Sequence, residues 1–341
     1  MTGETPTRAV VVLAAGEGKR MRSALPKMLH PLLGRSLLGH VLTAAAPLRA
    51  ARTLAVVGNR ADQVREHLAE IAPYAESVLQ AQQNGTGHAV RMALAAAPDL
   101  TGTVVVLNAD VPLLRPQTLA DMVRIHETTG SAATVLTAEV DDATGLGRVV
   151  HDQSGGFAGI VEQRDASFEQ LAIKEINAGI YAFDAGLLRD VLHKLSTDND
   201  QGEEYLTDVF GLLRADGHRI GTHQAADPTE ALGCNDRAEL ANLRRLMRQK
   251  INTAWMREGV TMDDPEATWI DVTVGLSPDV VLRPNTYLYG ATTVAEGAEI
   301  GPETTLIDTS VGERSTVVRA HSEQAEIGPE CAVGPYAYLR A

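Results

Sequence analysis

Short aliphatic runs alternate with longer amphipathic segments from about residue 8 to residue 140. Runs at 9–13, 53–57, 78–79, 104–107 and 133–140 are rich in Val, Leu and Ala and are closed by polar or Gly-bearing segments, which predicts buried strands. Between them, 36–46, 62–71, 86–97 and 118–128 place apolar residues three and four apart, the spacing of a helix with one buried face. The alternation predicts a doubly wound α/β domain, whose ligands collect at the carboxyl ends of the strands.

The pattern then becomes less regular. Turns at 144–147 and 162–165 border further strand segments, 176–183 predicts a strand carrying the polar Asn177, and the acidic stretch 198–204 predicts a surface loop in reach of substrate, followed by a helix to about 215. From 236 to 258 the helical pattern is continuous, with Leu240, Leu243, Leu246, Ile251 and Trp255 on one side, as in a connecting helix. Beyond Gly259 the texture changes. Val294, Ile300 and Leu306, Val311 and Val317, and Ile327, Val333 and Leu339 recur at six-residue intervals, which predicts a parallel β-helix of hexapeptide repeats. The segment 319–325 breaks the phase and is expected to be a loop extruded from a corner. The expected domains are 1–235, the connecting helix 236–258, and 259–341. The last residue, Ala341, falls in mid-repeat without an atypical capping turn, which predicts a truncated chain.

Composition narrows the function. A net charge of -14 and only 4% aromatic residues argue against nucleic acid, which needs a basic face or stacking platforms. A few local cations still allow a small anionic substrate. The polar start of the chain and the shortness of its apolar runs predict a cytoplasmic protein with no membrane span. Cys234 and Cys331 have no metal-ligand spacing and are expected to be buried thiols.

Candidate chemistry lies in the loops after the strands. In Gly16-Glu17-Gly18-Lys19-Arg20-Met21, the glycines let backbone N–H groups approach phosphate oxygens, while Lys19, Arg20 and, after Pro26, Lys27 supply charge. This is neither the dinucleotide fingerprint nor the Walker pattern, and alone it also reads as a structural turn. The amides of Gln80-Ala81-Gln82-Gln83-Asn84-Gly85-Thr86 match the edge of a pyrimidine, and Thr86 is expected to cap the next helix; a plain polar turn is the alternative. His88 is expected to be a packing or hydrogen-bonding residue. Asp110, directly after a buried strand, suits Mg²⁺ or caps the loop before Pro112. Gly147, Glu162 and Asn177 suit sugar hydroxyls and an N-acetyl group, or are turn and edge residues. Asn235 is a helix cap or a second metal contact.

Taken in order, LAAGEGKRM, LPKMLH, QQNGTGHA, NADVPL, GLGRVV, IVEQRDA, EINAGIYAF, GEEYLTDVF and GCNDR, with the hexapeptide tail, resemble the bacterial bifunctional N-acetylglucosamine-1-phosphate uridyltransferase / glucosamine-1-phosphate N-acetyltransferase family over essentially the whole chain. The resemblance implies a Rossmann-like nucleotidyltransferase domain with a mixed sheet, a linker helix and a left-handed parallel β-helix that forms a homotrimer. It implies Mg²⁺-dependent uridylyl transfer from UTP to N-acetylglucosamine 1-phosphate. By motif, Leu13, Ala14, Ala15, Gly16, Gln80, Gly85 and Thr86 fall on the nucleotide contacts and Arg20 and Lys27 on the phosphates. Asp110 and Asn235 fall on the metal ligands, with Gly147, Glu162, Asn177, Thr207 and Asn235 on the substrate contacts. Lys19 stands where the family has Thr, and Ala109 where it has Gly. Of the acetyltransferase substrate contacts only Arg340 has a counterpart, so acetyl-CoA is expected to serve only the full-length protein. A nucleotidyltransferase for another nucleotide and sugar phosphate, or a non-catalytic sensor or scaffold, are the alternatives; Lys27, Asp110 and Asn235 together count against the scaffold.

Overall fold

Alternate side chains of the first strand, β1 (Arg8–Ala14), enter two separate apolar clusters: Val10, Val12 and Ala14 on one face, Ala9 and Val11 on the other. A strand buried on both faces reads as an unbroken aliphatic run, which is why the sequence shows one here. The computed structural model describes residues 7–199 and 202–341; the polar start 1–6 and residues 200–201 of the acidic stretch lie outside the described residues. The chain forms two compact units, one of 1–30 and 37–237, the other of 31–36 and 238–341.

After β1 come a short hairpin, β2 (Pro31–Leu32) and β3 (Arg35–Ser36), which belongs to the second unit, then β4 (Arg52–Val57), β5 (Glu76–Leu79), β6 (Thr103–Asn108), β7 (Ala133–Glu139), β8 (Arg148–His151), β9 (Phe157–Val161), β10 (Glu175–Asp184) and β11 (Ile220–Gln224). The sheet of the first unit runs β11-β7-β10-β6-β1-β4-β5, with β8 joined to β10 and β9. It is mixed, because β10 runs antiparallel to both β6 and β7 while β1 pairs parallel with β4 and β6. The order reverses at β1, so the loops after β1 and β6 flank the switch point where open α/β sheets bind ligands. The helices α1 (Leu37–Ala45), α2 (Ala61–Ile71), α3 (Thr86–Ala96), α4 (Pro116–Thr129), α5 (Phe168–Leu171), α6 (Ala185–Leu192) and α7 (Asp208–Ala215) complete the described part of this unit. Phe210 of α7 packs its ring against Phe157, Tyr181 and Phe183, which stiffens the region where β9 and β10 meet.

The last helix, α8 (Arg237–Arg257), buries Leu240, Leu243 and Met247, and its Arg248 guanidinium lies 4.6 Å above the Trp269 ring. The remainder is a parallel β-helix of short strands in three sheets, around Ile270, Val280, Leu282, Leu288, Ile300, Leu306 and Val317. The register explains the phase break at 319–325 and corrects its reading as an extruded loop. Thr286 pairs with Thr304, a full coil of three hexapeptides, but Thr305 pairs with His321 and Thr316 with Ala332. The coil is shortened at its corners, and His321–Glu323 takes its place in the sheet between Thr304–Ile307 and Tyr338–Arg340. Among the described residues no helix is long and apolar enough to cross a membrane.

Candidate functional site

Three loops at the carboxyl ends of β1, β6 and the segment before α8 converge on one ammonium group. Lys27 Nζ donates to Asp110 Oδ2 at 2.5 Å and to Asn235 Oδ1 at 3.3 Å. The sequence builds this in steps. Gly18 adopts φ +62, where a Cβ would lie 2.6 Å from the Lys27 Cβ, so only glycine lets the cationic loop fold back over Lys27. Met21 and Met28, 1% and 4% exposed, anchor the loop on either side. Asp110 is delivered by β6, whose end is joined to that of β1 through the Ala109 N–H on the Leu13 carbonyl.

One carboxylate oxygen and one amide oxygen aimed at a shared positive charge are donors suited to a hard divalent cation. Among the described residues no three His, Cys, Asp or Glu side chains cluster as a metal site. The remaining positions of an ion held here would fall to water and substrate phosphates, which is how Mg²⁺ is ordinarily bound.

Beside this centre, the loop after β5 is fastened to its neighbours. Gln83 Nε2 donates to the Ala15 carbonyl at 2.8 Å, next to Gly58, where a Cβ would collide with Ala15. Gln80, 3% exposed, uses its amide nitrogen on the Gly85 carbonyl and faces His88 Nδ1, both at 3.0 Å. Gln80 therefore shapes the loop, and His88 is a hydrogen-bonding residue. Thr86 is not the cap of α3. Gly85 is the N-cap at φ +103, and the Thr86 hydroxyl instead accepts the Leu206 N–H at 3.0 Å. The reason is tertiary: the 203–206 segment packs so closely that a Cβ on Gly85 would strike the Glu204 backbone. Glu204 is held in turn by Arg91, two hydrogen bonds at 3.2 and 2.5 Å.

A second cluster forms where β8, β9 and β10 meet. The Asn177 N–H donates to the Gly147 carbonyl at 2.9 Å, and a Cβ on Gly147 would come within 3.3 Å of Glu162 Oε1. Asn177 Nδ2 donates to the Tyr181 hydroxyl at 2.8 Å while its Oδ1 accepts the Gly179 N–H. This pattern needs the bulge between Asn177 and Tyr181, in which Gly179 takes φ +69. Part of the Glu162 residue is exposed to solvent. The surrounding protein, and then the Asp165 and Asp208 carboxylates, push its carboxyl above the ordinary 4.5. Burial raises the Tyr181 hydroxyl as well, so it stays protonated. Tyr181 and the buried Arg148, whose Nη1 joins Gln163 Oε1 at 2.6 Å, were missed as site residues; their apolar setting in strands resembled ordinary core.

The other expected residues lie at the surface or at the ends of elements. Arg20 is exposed, and Lys19 pairs with Glu17 at the surface. Leu13, Ala14 and Ala15 line the end of β1, with Gly16 exposed beyond them. Thr207 is the N-cap position of α7, and its side chain makes no capping bond. Arg340 is exposed on the strand Tyr338–Arg340 of the second unit. Cys234 is buried, but Cys331 is exposed, against expectation.

Comparison with known proteins places the whole chain among relatives. Residues 10–249 match the family model described as MobA-like NTP transferase domain. The protein called bifunctional protein GlmU from Thermobifida fusca (strain YX) is 55% identical over 325 residues, covering 94% of this chain and 67% of that protein. Its namesake from Streptomyces coelicolor is 54% identical, with 97% and 69% covered, and that from Corynebacterium aurimucosum 48%, with 99% and 70% covered.

Proposed function

The chain belongs to the bifunctional GlmU family, and from that premise we propose that it transfers a uridylyl group from UTP to N-acetylglucosamine 1-phosphate, releasing pyrophosphate. It is a nucleotidyltransferase. The observation that carries the finer reading is the Lys27 ammonium held between Asp110 and Asn235 at the switch point of the sheet.

The chemistry asks little of a base. A phosphate monoester with a second pKa of about 6 is already mostly dianionic at neutral pH, so the nucleophile is ready made. What opposes reaction is repulsion between two polyanions. Lys27, buried enough to be firmly aimed, neutralises phosphate charge as attack proceeds, and Arg20 extends from the loop to the leaving pyrophosphate. Gln80, Gly85 and Thr86 frame the uracil. Gly147 admits the sugar, while Glu162 and Asn177 take its hydroxyls and N-acetyl group, and Thr207 lies at the edge. Asp110 and Asn235 would hold Mg²⁺, which supplies charge neutralisation on the phosphates. The protein acts in the cytoplasm and assembles as a trimer through the β-helix, with light scattering as the check; a monomer at working concentration contradicts that assembly.

Pyrophosphate release measured across a matrix of nucleoside triphosphates and sugar 1-phosphates tests the reading. The expected maximum is UTP with N-acetylglucosamine 1-phosphate; a maximum at another pair reassigns the substrates, and none anywhere removes the activity.

A further inference from the structure

Asp110 and Asn235 sit on loops from distant parts of the chain, and two ties hold those loops together. One is backbone: the Cys234 N–H donates to the Asp110 carbonyl at 2.9 Å. The other joins the far ends of the same segments. Glu230 Oε2 accepts the Arg115 backbone N–H at 3.0 Å, and Oε1 accepts Arg115 Nε at 2.7 Å. Arg115 closes the loop that Asp110 opens, and Glu230 lies in the short turn Pro228–Ala231 that precedes Asn235.

The Glu230 side chain is fully buried, at 0% exposure, whereas that of Arg115 is half exposed at 50%. A carboxylate removed from water is costly unless its oxygens find partners, and here one residue meets both. Buried ion pairs return little net stability, and an apolar side chain of similar size would often serve a core as well. What the carboxylate adds is direction. Val111 and Leu114 of one segment and Ala231 of the other are buried in one apolar cluster, and in a buried setting such bonds are strengthened and the geometry fixed.

We infer that Arg115 and Glu230 are positioning residues for the divalent-cation site: they set the separation of Asp110 and Asn235 without themselves touching substrate or ion. The inference rests on the reading of those two residues as the metal ligands.

Mn²⁺ binding to the full chain, read by electron paramagnetic resonance of the free ion without substrates, tests it. The proteins compared are wild type, Glu230→Gln, Arg115→Ala, Asp110→Asn and a control, Glu127→Gln. Glu127 makes the same kind of two-point pair with Arg8, both bonds 2.7 Å, but ties the beginning of β1 to α4. Asp110→Asn is expected to abolish binding. Glu230→Gln and Arg115→Ala are expected to weaken Mn²⁺ affinity about tenfold, a change of ~1.4 kcal/mol, and to raise in parallel the Mg²⁺ needed for half-maximal turnover, with the KM for sugar phosphate unmoved. Glu127→Gln is expected to lower the melting temperature and leave Mn²⁺ affinity alone. The isosteric Gln variant serves if Arg115→Ala fails to fold. Wild-type affinity in Glu230→Gln beside a defective Asp110→Asn overturns the positioning role and leaves the ligands standing. Undiminished binding by Asp110→Asn overturns the metal reading and the positioning role together. A loss that Glu127→Gln reproduces means general loosening, and also overturns the inference.

Discussion

The two units satisfy their buried polar groups in opposite ways. In the β-helix, small hydroxyls at the corners donate to nearby carbonyls: Thr286 to Arg283, Thr292 to Tyr289, Ser315 to Gly328. Each solution stays within a coil or reaches only the next one, and the pattern recurs along the β-helix. In the α/β unit the polar groups at the carboxyl ends of the strands are charged and come from far apart, as in Lys27 with Asp110, Arg91 with Glu204 and Arg115 with Glu230. Repetition gives a rod whose stability is spread over similar layers. Convergence of distant segments gives a place where charge is concentrated and can act on a ligand.

Mutations that separate stability from chemistry would break or sharpen this contrast. The largest effect is expected from Leu306→Ala in the fully buried β-helix core, about 2–5 kcal/mol of stability. Denaturant unfolding should register it, while kcat and KM for pyrophosphate release stay unchanged well below the transition. In the α/β unit, Gly179→Ala places a Cβ against Asn108 in a left-handed backbone. It should cost about 1–3 kcal/mol and, unlike Leu306→Ala, raise the KM for the sugar phosphate by disturbing Asn177; an unchanged KM would detach Asn177 from the sugar.

Glu162→Gln should move the two properties in opposite directions. The folded protein raises the Glu162 carboxyl above 4.5, so it binds the proton more tightly than the unfolded chain does. The stabilising share of the protonated form is then fully present below the unfolded value and is lost as pH rises through the raised folded value. At pH 7 the neutral Gln therefore stabilises slightly, read as a small rise in melting temperature that disappears below pH 4, while affinity for the sugar phosphate falls several-fold. The smallest effect is expected from Lys19→Ala. Its side chain is 83% exposed and pairs with Glu17, and surface pairs contribute little. Turnover should change less than twofold, and a large loss would move Lys19 into the phosphate path.

These contrasts also explain what the sequence disclosed. The strands of the α/β unit were legible because burial on both faces leaves continuous aliphatic runs such as 9–13 and 104–107, and the coils because an inward aliphatic must recur every six residues. Lys27, Asp110 and Asn235 were legible as residue types after strands or before a helix. Their meeting was legible only through the family resemblance of the motifs, since it depends on how Gly18 folds the loop back. Thr86 misled because its capping potential is a local property, whereas its hydroxyl is claimed by Leu206, 120 residues away in sequence. The shortened coil at 319–325 misled for a related reason: a phase shift looks alike whether residues are added at one corner or removed at another, and only the pairing of Thr305 with His321 distinguishes them. Glu230 carried no signal, because nothing local marks a glutamate that will be wholly buried.

The central claim is that the ammonium and carboxylate brought together at the switch point drive the reaction. Mg²⁺-dependent pyrophosphate release from UTP and N-acetylglucosamine 1-phosphate by wild type, Lys27→Ala and Asp110→Ala, each shown to be folded by circular dichroism, tests it most directly. A fall in turnover of about 10²-fold or more in both variants is expected; full retention of turnover in either would contradict it.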